Sequence, residues 1–202
     1  VVRKGIVLSS IFEKGGTGKS TITYNLAYYL SQKYKVLVID LDGQSADITY
    51  FMLGEDKLKS RDSMKTIKSV FENSITLDNV ILTVKDNLDL IPANTYVTDL
   101  SPAYKTSVFK NIIRRLKEEY DFIFIDVSPS PNHGHVLCLS VTDYLIPITV
   151  LDAACITALM SLDESVYEVQ DASNPKLKYL GIVVNKYDNR TNISKTVLNQ
   201  LN

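Results

Sequence analysis

Six short, nearly unbroken apolar runs constrain the fold of this chain more than any other feature: "GIVLSSIF" at 5–12, "KVLVID" at 35–40, "LDLIPA" at 88–93, "FIFID" at 122–126, "YLIPIT" at 144–149 and "YLGIVVN" at 179–185. Strands that are apolar on both faces suit a parallel sheet covered on both sides. Between the runs lie segments with helical spacing. In "STITYNLAYYLSQ" the residues Ile22, Leu26, Tyr29 and Leu30 fall on one face, and in "SVFKNIIRRLKEEY" Val108, Ile112 and Leu116 do. This alternation predicts an α/β fold, a doubly wound, mostly parallel sheet flanked by helices. Its crossovers should be right-handed and its ligand crevice should lie beyond the carboxyl ends of the strands. With 202 residues, 45% of them hydrophobic, one domain over 1–202 is expected. The lysine-rich stretch 54–86 predicts surface loops around one short helix in "SMKTIKSVFE". The closing "NISKTVLNQLN" reads as a helix without a C-terminal cap, so more chain is expected to follow it in the natural protein.

After the first run the chain passes through Glu13-Lys14-Gly15-Gly16-Thr17-Gly18-Lys19-Ser20, with Thr21 next, between a predicted strand and a predicted helix. Glycines let the backbone turn with its N–H groups inward as an anion nest, and the helix that follows adds its positive end. In such a loop Lys19 would neutralise β- and γ-phosphates and the Ser20 hydroxyl would ligate Mg²⁺. The common pattern G-x-x-x-x-G-K-S nevertheless fails, because Phe12 or Glu13 stands where the first glycine belongs. What appears is K-G-G-T-G-K-S, with a second lysine, Lys14, that a phosphate loop by itself does not require.

This loop resembles the deviant Walker A motif of the ParA and MinD family of ATPases, a class of P-loop NTPases. The resemblance extends over nearly the whole chain, and its form is the short ParA type without an N-terminal helix-turn-helix arm. It implies ATP and Mg²⁺ as cofactors, hydrolysis to ADP and phosphate, and a homodimer that forms on ATP binding. Gly15, Gly16, Thr17, Gly18, Lys19, Ser20 and Thr21 would then hold the nucleotide. Lys14 would reach across the dimer interface to the other subunit's nucleotide, supplying in trans the cation that an arginine finger supplies elsewhere.

Two further stretches resemble family elements. "VLVIDLDGQSADIT" carries Asp40 and Asp42, whose i, i+2 spacing on an extended chain points both carboxylates one way. By resemblance to the D-x-D-x-Q element, Asp42 orients or activates the attacking water and Asp40 supports Mg²⁺; Gly43 stands where the family usually has proline. "YDFIFIDVSPS" ends its strand in Asp126, which resembles the Walker B carboxylate that reaches Mg²⁺ through water, and "VSPSP" keeps only part of the family's continuation.

Late in the chain, "YLGIVVNKYDNRTNIS" resembles the strand that ends near the adenine, which places Asn185 to hydrogen-bond the base. Arg190 stands where ParA proteins carry an arginine of a nonspecific DNA patch. From 174 to 202 there are five basic residues, Lys176, Lys178, Lys186, Arg190 and Lys195, against Asp188 alone, which supports a phosphate-holding patch. Lys186, Arg190 and Lys195 are thus the expected DNA contacts. The implied biology is plasmid or chromosome partitioning with a ParB-like centromere-binding partner on nonspecific double-stranded DNA, in the cytoplasm and on the nucleoid.

Composition narrows the rest. Basic and acidic residues number 22 and 23, so no global field marks a nucleic-acid or membrane binder and any such binding must be local. Cys138 and Cys155 read as small buried hydrophobes, and His133 and His135 as exposed loop histidines, without the companions a metal site needs. The twelve tyrosines are scattered, unlike the terminal cluster of bacterial tyrosine kinases of related fold. No apolar run is long enough to span a bilayer and no membrane partner is expected. The rival readings are a MinD-like membrane-cycling ATPase, for which "NISKTVLNQLN" is too weakly amphipathic, and a small-molecule ligase of the dethiobiotin synthetase type, which has no need of Lys14. A scaffold that binds nucleotide without hydrolysing it is disfavoured by Asp42.

Overall fold

All five residues of strand β2 (Val36–Asp40) are buried, as an apolar run in the middle of a two-sided sheet requires. In the computed structural model, which describes residues 4–12, 14–45, 47–54, 61–99, 106–130 and 132–201, β2 lies near the centre of a seven-stranded sheet. Side chains at 61, 98, 99, 192, 193, 195, 200 and 201 are outside the described set. The other strands are β1 (Ile6–Ser9), β3 (Leu82–Lys85), β4 (Leu88–Ile91), β5 (Phe122–Asp126), β6 (Tyr144–Leu145) and β8 (Lys178–Tyr179). Their order is β3-β4-β2-β5-β1-β6-β8, parallel throughout except for β3 against β4. Two short strands, β7 (Ile148–Thr149) and β9 (Val183–Val184), pair in parallel and continue β6 and β8 past Pro147 and Gly181. Proline has no N–H to give a ladder, which accounts for the break after Ile146.

The helices are α1 (Lys19–Leu30), α2 (Asp47–Leu53), α3 (Ile67–Phe71), α4 (Thr106–Glu119), α5 (His133–Val141), α6 (Cys155–Ala172) and α7 (Asn192–Leu201). Strand side chains alternate between two cores, which is how one apolar run serves both faces. Leu37, Ile39, Ile123 and Ile125 join Phe109, Ile113 and Leu116 of α4, Leu137 and Leu139 of α5 and Leu162 and Val166 of α6. Val36, Val38, Leu88, Leu90 and Phe124 join Ala27 of α1 and Ile48 and Met52 of α2. The doubly wound three-layer arrangement read from the sequence is what forms.

Two helix faces differ from expectation. On α1 the buried residues are Lys19, Thr23 and Ala27, whereas Leu26 and Tyr29 are exposed. The loop forces Lys19 inward, the i, i+4, i+8 row follows it, and small residues let the helix approach the sheet closely enough for Thr23 Oγ1 to meet Ser10 Oγ at 2.7 Å. On α4 the buried row is Phe109, Ile113 and Leu116, and Val108 faces solvent. Strand β3 was also unexpected, since 54–86 read as loops apart from the helix that does form at α3. It is an edge strand whose residues are exposed or half-buried, so its pattern looks polar; it turns back into β4 through Asp86-Asn87, with Asn87 at φ 61°.

Candidate nucleotide site

Strands β2 and β5 run side by side with Asp40 opposite Asp126, so both acidic strand ends reach the same edge as the glycine loop after β1. The loop turns through two left-handed glycines, Gly16 at φ 73° and Gly18 at φ 94°, the latter capping α1 as its carbonyl accepts Ile22 N–H at 2.9 Å. The left-handed dihedral disfavours other residues at Gly18, and a Cβ there would also push the Asn185 amide aside. Asn185 closes the loop from the far side, donating Nδ2–H to the Thr17 carbonyl at 2.8 Å.

Beside the loop opens a cavity of about 370 Å³ lined by Gly16, Gly18, Lys19, Ser20, Thr21, Asp42, Asn185 and Lys186, with Ser45, Asp47, Val127 and Pro129. Lys19 is 6% exposed and donates to the Lys14 carbonyl at 3.1 Å. Burial lowers its pKa, and the carboxylates of Asp126, Asp42 and Asp47 offset this. Ser20 Oγ–H donates to Asp126 Oδ2 at 2.6 Å, while Asp126 Oδ1 and Thr17 Oγ1 are buried without a hydrogen-bond partner. Orphaned buried acceptors beside a cation and a nest of N–H groups mark a place where a ligand belongs.

Asp126 Oδ1 and Ser20 Oγ fit a magnesium site of the kind completed by phosphate oxygens and water, since Mg²⁺ takes only one or two protein oxygens there. Among the described residues no group of three or more His, Cys, Asp or Glu side chains forms a self-sufficient metal cage. Asp42, 4% exposed, lines the cavity and is fixed by its own turn, Oδ1 accepting Gln44 N–H at 2.9 Å and Oδ2 accepting Ser45 Oγ–H at 2.8 Å. Asp40 differs from expectation. Its Oδ1 accepts Asp42 N–H at 2.8 Å and its Oδ2 accepts Thr49 N–H and Oγ1–H at 3.2 and 2.6 Å, which leaves it fully buried outside the cavity lining, tying the Asp42 loop to α2.

Burial, aided by the Asp42 and Asp47 carboxylates and opposed by Ser20 and Lys19, pushes Asp126 up to about 7. Burial and then Asp126 raise Asp40 well above the usual range. A carboxyl whose folded pKa exceeds its unfolded one is more readily protonated in the native state, so stability falls as pH rises through that interval. In magnesium- and nucleotide-free buffer the protein is therefore expected to melt lower at pH 8 than at pH 5, by on the order of 5 °C. Asp126→Asn should shrink that difference. An unchanged difference in the variant, read by calorimetry, would contradict this picture of the site.

The remaining expected residues fall in several places. Gly15 is exposed and outside the cavity lining, and the Lys195 side chain lies outside the described set. Lys14 does not line its own cavity; its ammonium pairs with Asp152 just before α6, a residue that no motif singled out. Lys186, expected on DNA, adopts φ 52° and donates its ammonium to the Gly16 carbonyl at 2.9 Å, at the nucleotide cavity. Arg190 is exposed and doubly bonded to Asp188 Oδ2 and Oδ1 through Nη2 and Nε at 2.7 and 2.9 Å. His135, expected in an exposed loop, is buried in α5 with Nε2 2.7 Å from the Ser128 carbonyl. Asp47 and Ser45, missed in the sequence, reach the cavity because α2 starts directly after the Asp42 turn.

A family model described as an AAA domain matches residues 5–179. The chain is 34% identical to an uncharacterised protein of Methanocaldococcus jannaschii, over 97% of this chain and 79% of that protein. It is 27% identical to the sporulation initiation inhibitor protein Soj of Bacillus subtilis, over 98% of this chain and 79% of Soj. A crystal structure of a plasmid partition protein from Borrelia burgdorferi superposes with a TM-score of 0.85 at 26% identity, covering 98% of this chain and 85% of that one. The chain is an AAA-domain protein of the ParA family. The mostly parallel seven-stranded sheet flanked by helices is thus that of a ParA-like P-loop NTPase. Among the described residues of this ParA-family chain, no helix is long and apolar enough to cross a membrane.

Proposed function

We propose that this chain is a Mg²⁺-dependent ATPase that forms an ATP-sandwich homodimer, binds double-stranded DNA without sequence preference and partitions a plasmid or chromosome with a ParB-like partner. The observation that supports the reading is Lys14: this loop lysine does not line its own chain's cavity but pairs with Asp152, so its ammonium is not used on its own chain's nucleotide site. Gly16 to Thr21 cradle the phosphates, with Lys19 as the buried cation and Gly15 at the loop's exposed rim. Bound Mg²⁺ neutralises charge on the phosphates. Ser20 and Asp126 hold that ion, Asp42 orients the attacking water, and Asp40 keeps the Asp42 turn in register through Thr49. Asn185, bonded to the Thr17 carbonyl, lines the same cavity and is the residue assigned to the base in this reading. Localisation in this reading is cytoplasmic and nucleoid-associated.

For DNA, the exposed Arg190 carries the reading further than Lys186, whose ammonium is drawn to the nucleotide loop. Lys195 joins it by position in α7. The test is binding of a duplex in ATP, ADP and no nucleotide at roughly 50 and 200 mM salt. Tight binding in ATP alone, weakening by tenfold or more at the higher salt, is expected, and Arg190→Ala should reduce the salt slope by about one. Equal binding in ATP and ADP would contradict the switch, and ATP-dependent capture by anionic liposomes in place of DNA would move the chain to membrane cycling.

A further inference from the structure

At the opposite edge of the sheet from the nucleotide cavity, a second cavity of about 440 Å³ is lined by Lys4, Lys110, Arg114, Lys117 and Lys176, together with Ile113, Ser140, Val141, Ser173 and Asn174. The topology makes this convergence. Lys110, Arg114 and Lys117 lie at i, i+4 and i+7 on α4, and so on one face of it. Lys4 lies just before β1, next to Gly5, whose N–H donates to the Lys117 carbonyl at 2.9 Å, and Lys176 precedes β8. Five cations from three separate parts of the chain therefore face one concavity that contains no carboxylate in its lining.

Packing alone does not account for all five. Lys117 has a carboxylate partner, Asp143 at 2.6 Å, and the Lys110 ammonium is held by the Ser173 carbonyl at the end of α6. Arg114 bonds only the neutral Asn111 amide, at 3.0 Å, and among the described residues neither Lys4 nor Lys176 has an ion pair. After Asp143 is set against Lys117, four positive charges remain around one cavity. Like charges gathered in this way repel, and an anion of comparable charge bound among them would relieve the repulsion. The neighbouring helix ends supply this relief only in part: the Ser173 carbonyl holds Lys110, while the Leu139 and Thr142 carbonyls accept Asn174 Nδ2–H at 2.8 Å.

We propose that this cavity is a second anion site, separate from the nucleotide site, which takes closely spaced phosphate groups through Lys4, Lys110, Arg114 and Lys176. A planar guanidinium among flexible ammonium groups suits phosphate oxygens in particular. The proposal does not depend on ATP hydrolysis or dimerisation.

The probe is inorganic tripolyphosphate, titrated by calorimetry into the full chain. Because the glycine loop also binds phosphates, the titration is made in a Lys19→Ala background, in which the remaining binding reports the second site. Saturable binding there is expected, weakened at least tenfold by adding Lys110→Glu and Arg114→Glu, and largely restored by the charge-keeping pair Lys110→Arg and Arg114→Lys. Both positions are on the surface of α4, and melting curves verify that each variant folds. Displacement of tripolyphosphate by a DNA duplex would identify nucleic-acid phosphates as the source, and failure to displace it would identify a free oligophosphate. No binding in the folded Lys19→Ala protein, or binding indifferent to the two charge reversals, overturns the proposal. Loss of the nucleotide function with this binding intact would count only against the ATPase reading.

Discussion

Lys14→Ala is expected to lower the ATP hydrolysis rate by about 10³-fold, the scale of removing a cation supplied in trans at phosphoryl transfer, while nucleotide binding by the monomer persists. The reason is geometric. Lys19, not Lys14, is the loop's buried ammonium, and Lys14 contributes to its own chain's site only through the backbone carbonyl that Lys19 donates to. Alanine keeps that carbonyl. The side-chain amine is committed to Asp152 of the same chain, a pair with about a third of each side chain exposed at 32% and 38%. A pair so exposed is worth only about 0–1 kcal/mol, so exchanging it for a nucleotide in the second copy is not opposed by a strong contact. The measurement is hydrolysis by phosphate release alongside binding of a fluorescent ATP analogue. Loss of both together would place Lys14 in its own chain's site, and loss of neither would remove its role.

Asp42→Asn is expected to slow hydrolysis by about 10²–10⁴-fold, the range for a group that handles a proton at the reacting water, and to leave ATP-bound dimers intact and longer-lived. Asparagine keeps an acceptor for the Gln44 N–H and so preserves the turn that Asp42 closes with Ser45. The melting temperature should therefore change little while the rate collapses. Single-turnover hydrolysis at saturating ATP separates chemistry from binding. A variant that hydrolyses normally would reassign the water-orienting role, with Asp47, which lines the same cavity, as the next carboxylate to substitute.

The sequence was most informative where local chemistry is strict. A left-handed loop admits few residues other than glycine, so the turn at Gly16 and Gly18 is legible in the residue pattern alone, as are the strands apolar at every position. It was less informative where tertiary placement chooses between equal candidates. Leu26 and Tyr29 looked like core residues of α1, but the loop's demand on Lys19 rotates the helix so that Thr23 and Ala27 face the sheet. Asp40 and Asp42 looked equivalent by spacing. One is consumed by Thr49 in α2, an element without a motif, and the other is left to the cavity. Asp152 could not be found by pattern, because its contact with Lys14 spans 138 residues. Lys186 looked like one more surface cation, and its left-handed backbone at φ 52° turns it back to the Gly16 carbonyl.

The central claim, that ATP joins two copies through Lys14, is tested most directly by the molar mass in solution of the Asp42→Asn protein with Mg-ATP, set beside Mg-ADP and beside the same protein carrying Lys14→Ala. The chain has a mass of 22.6 kDa. Light scattering is expected to give twice that mass in ATP, the single-chain mass in ADP, and the single-chain mass in both nucleotides once Lys14 is alanine. A mass that ignores the nucleotide, or ATP-dependent doubling that survives Lys14→Ala, would contradict it.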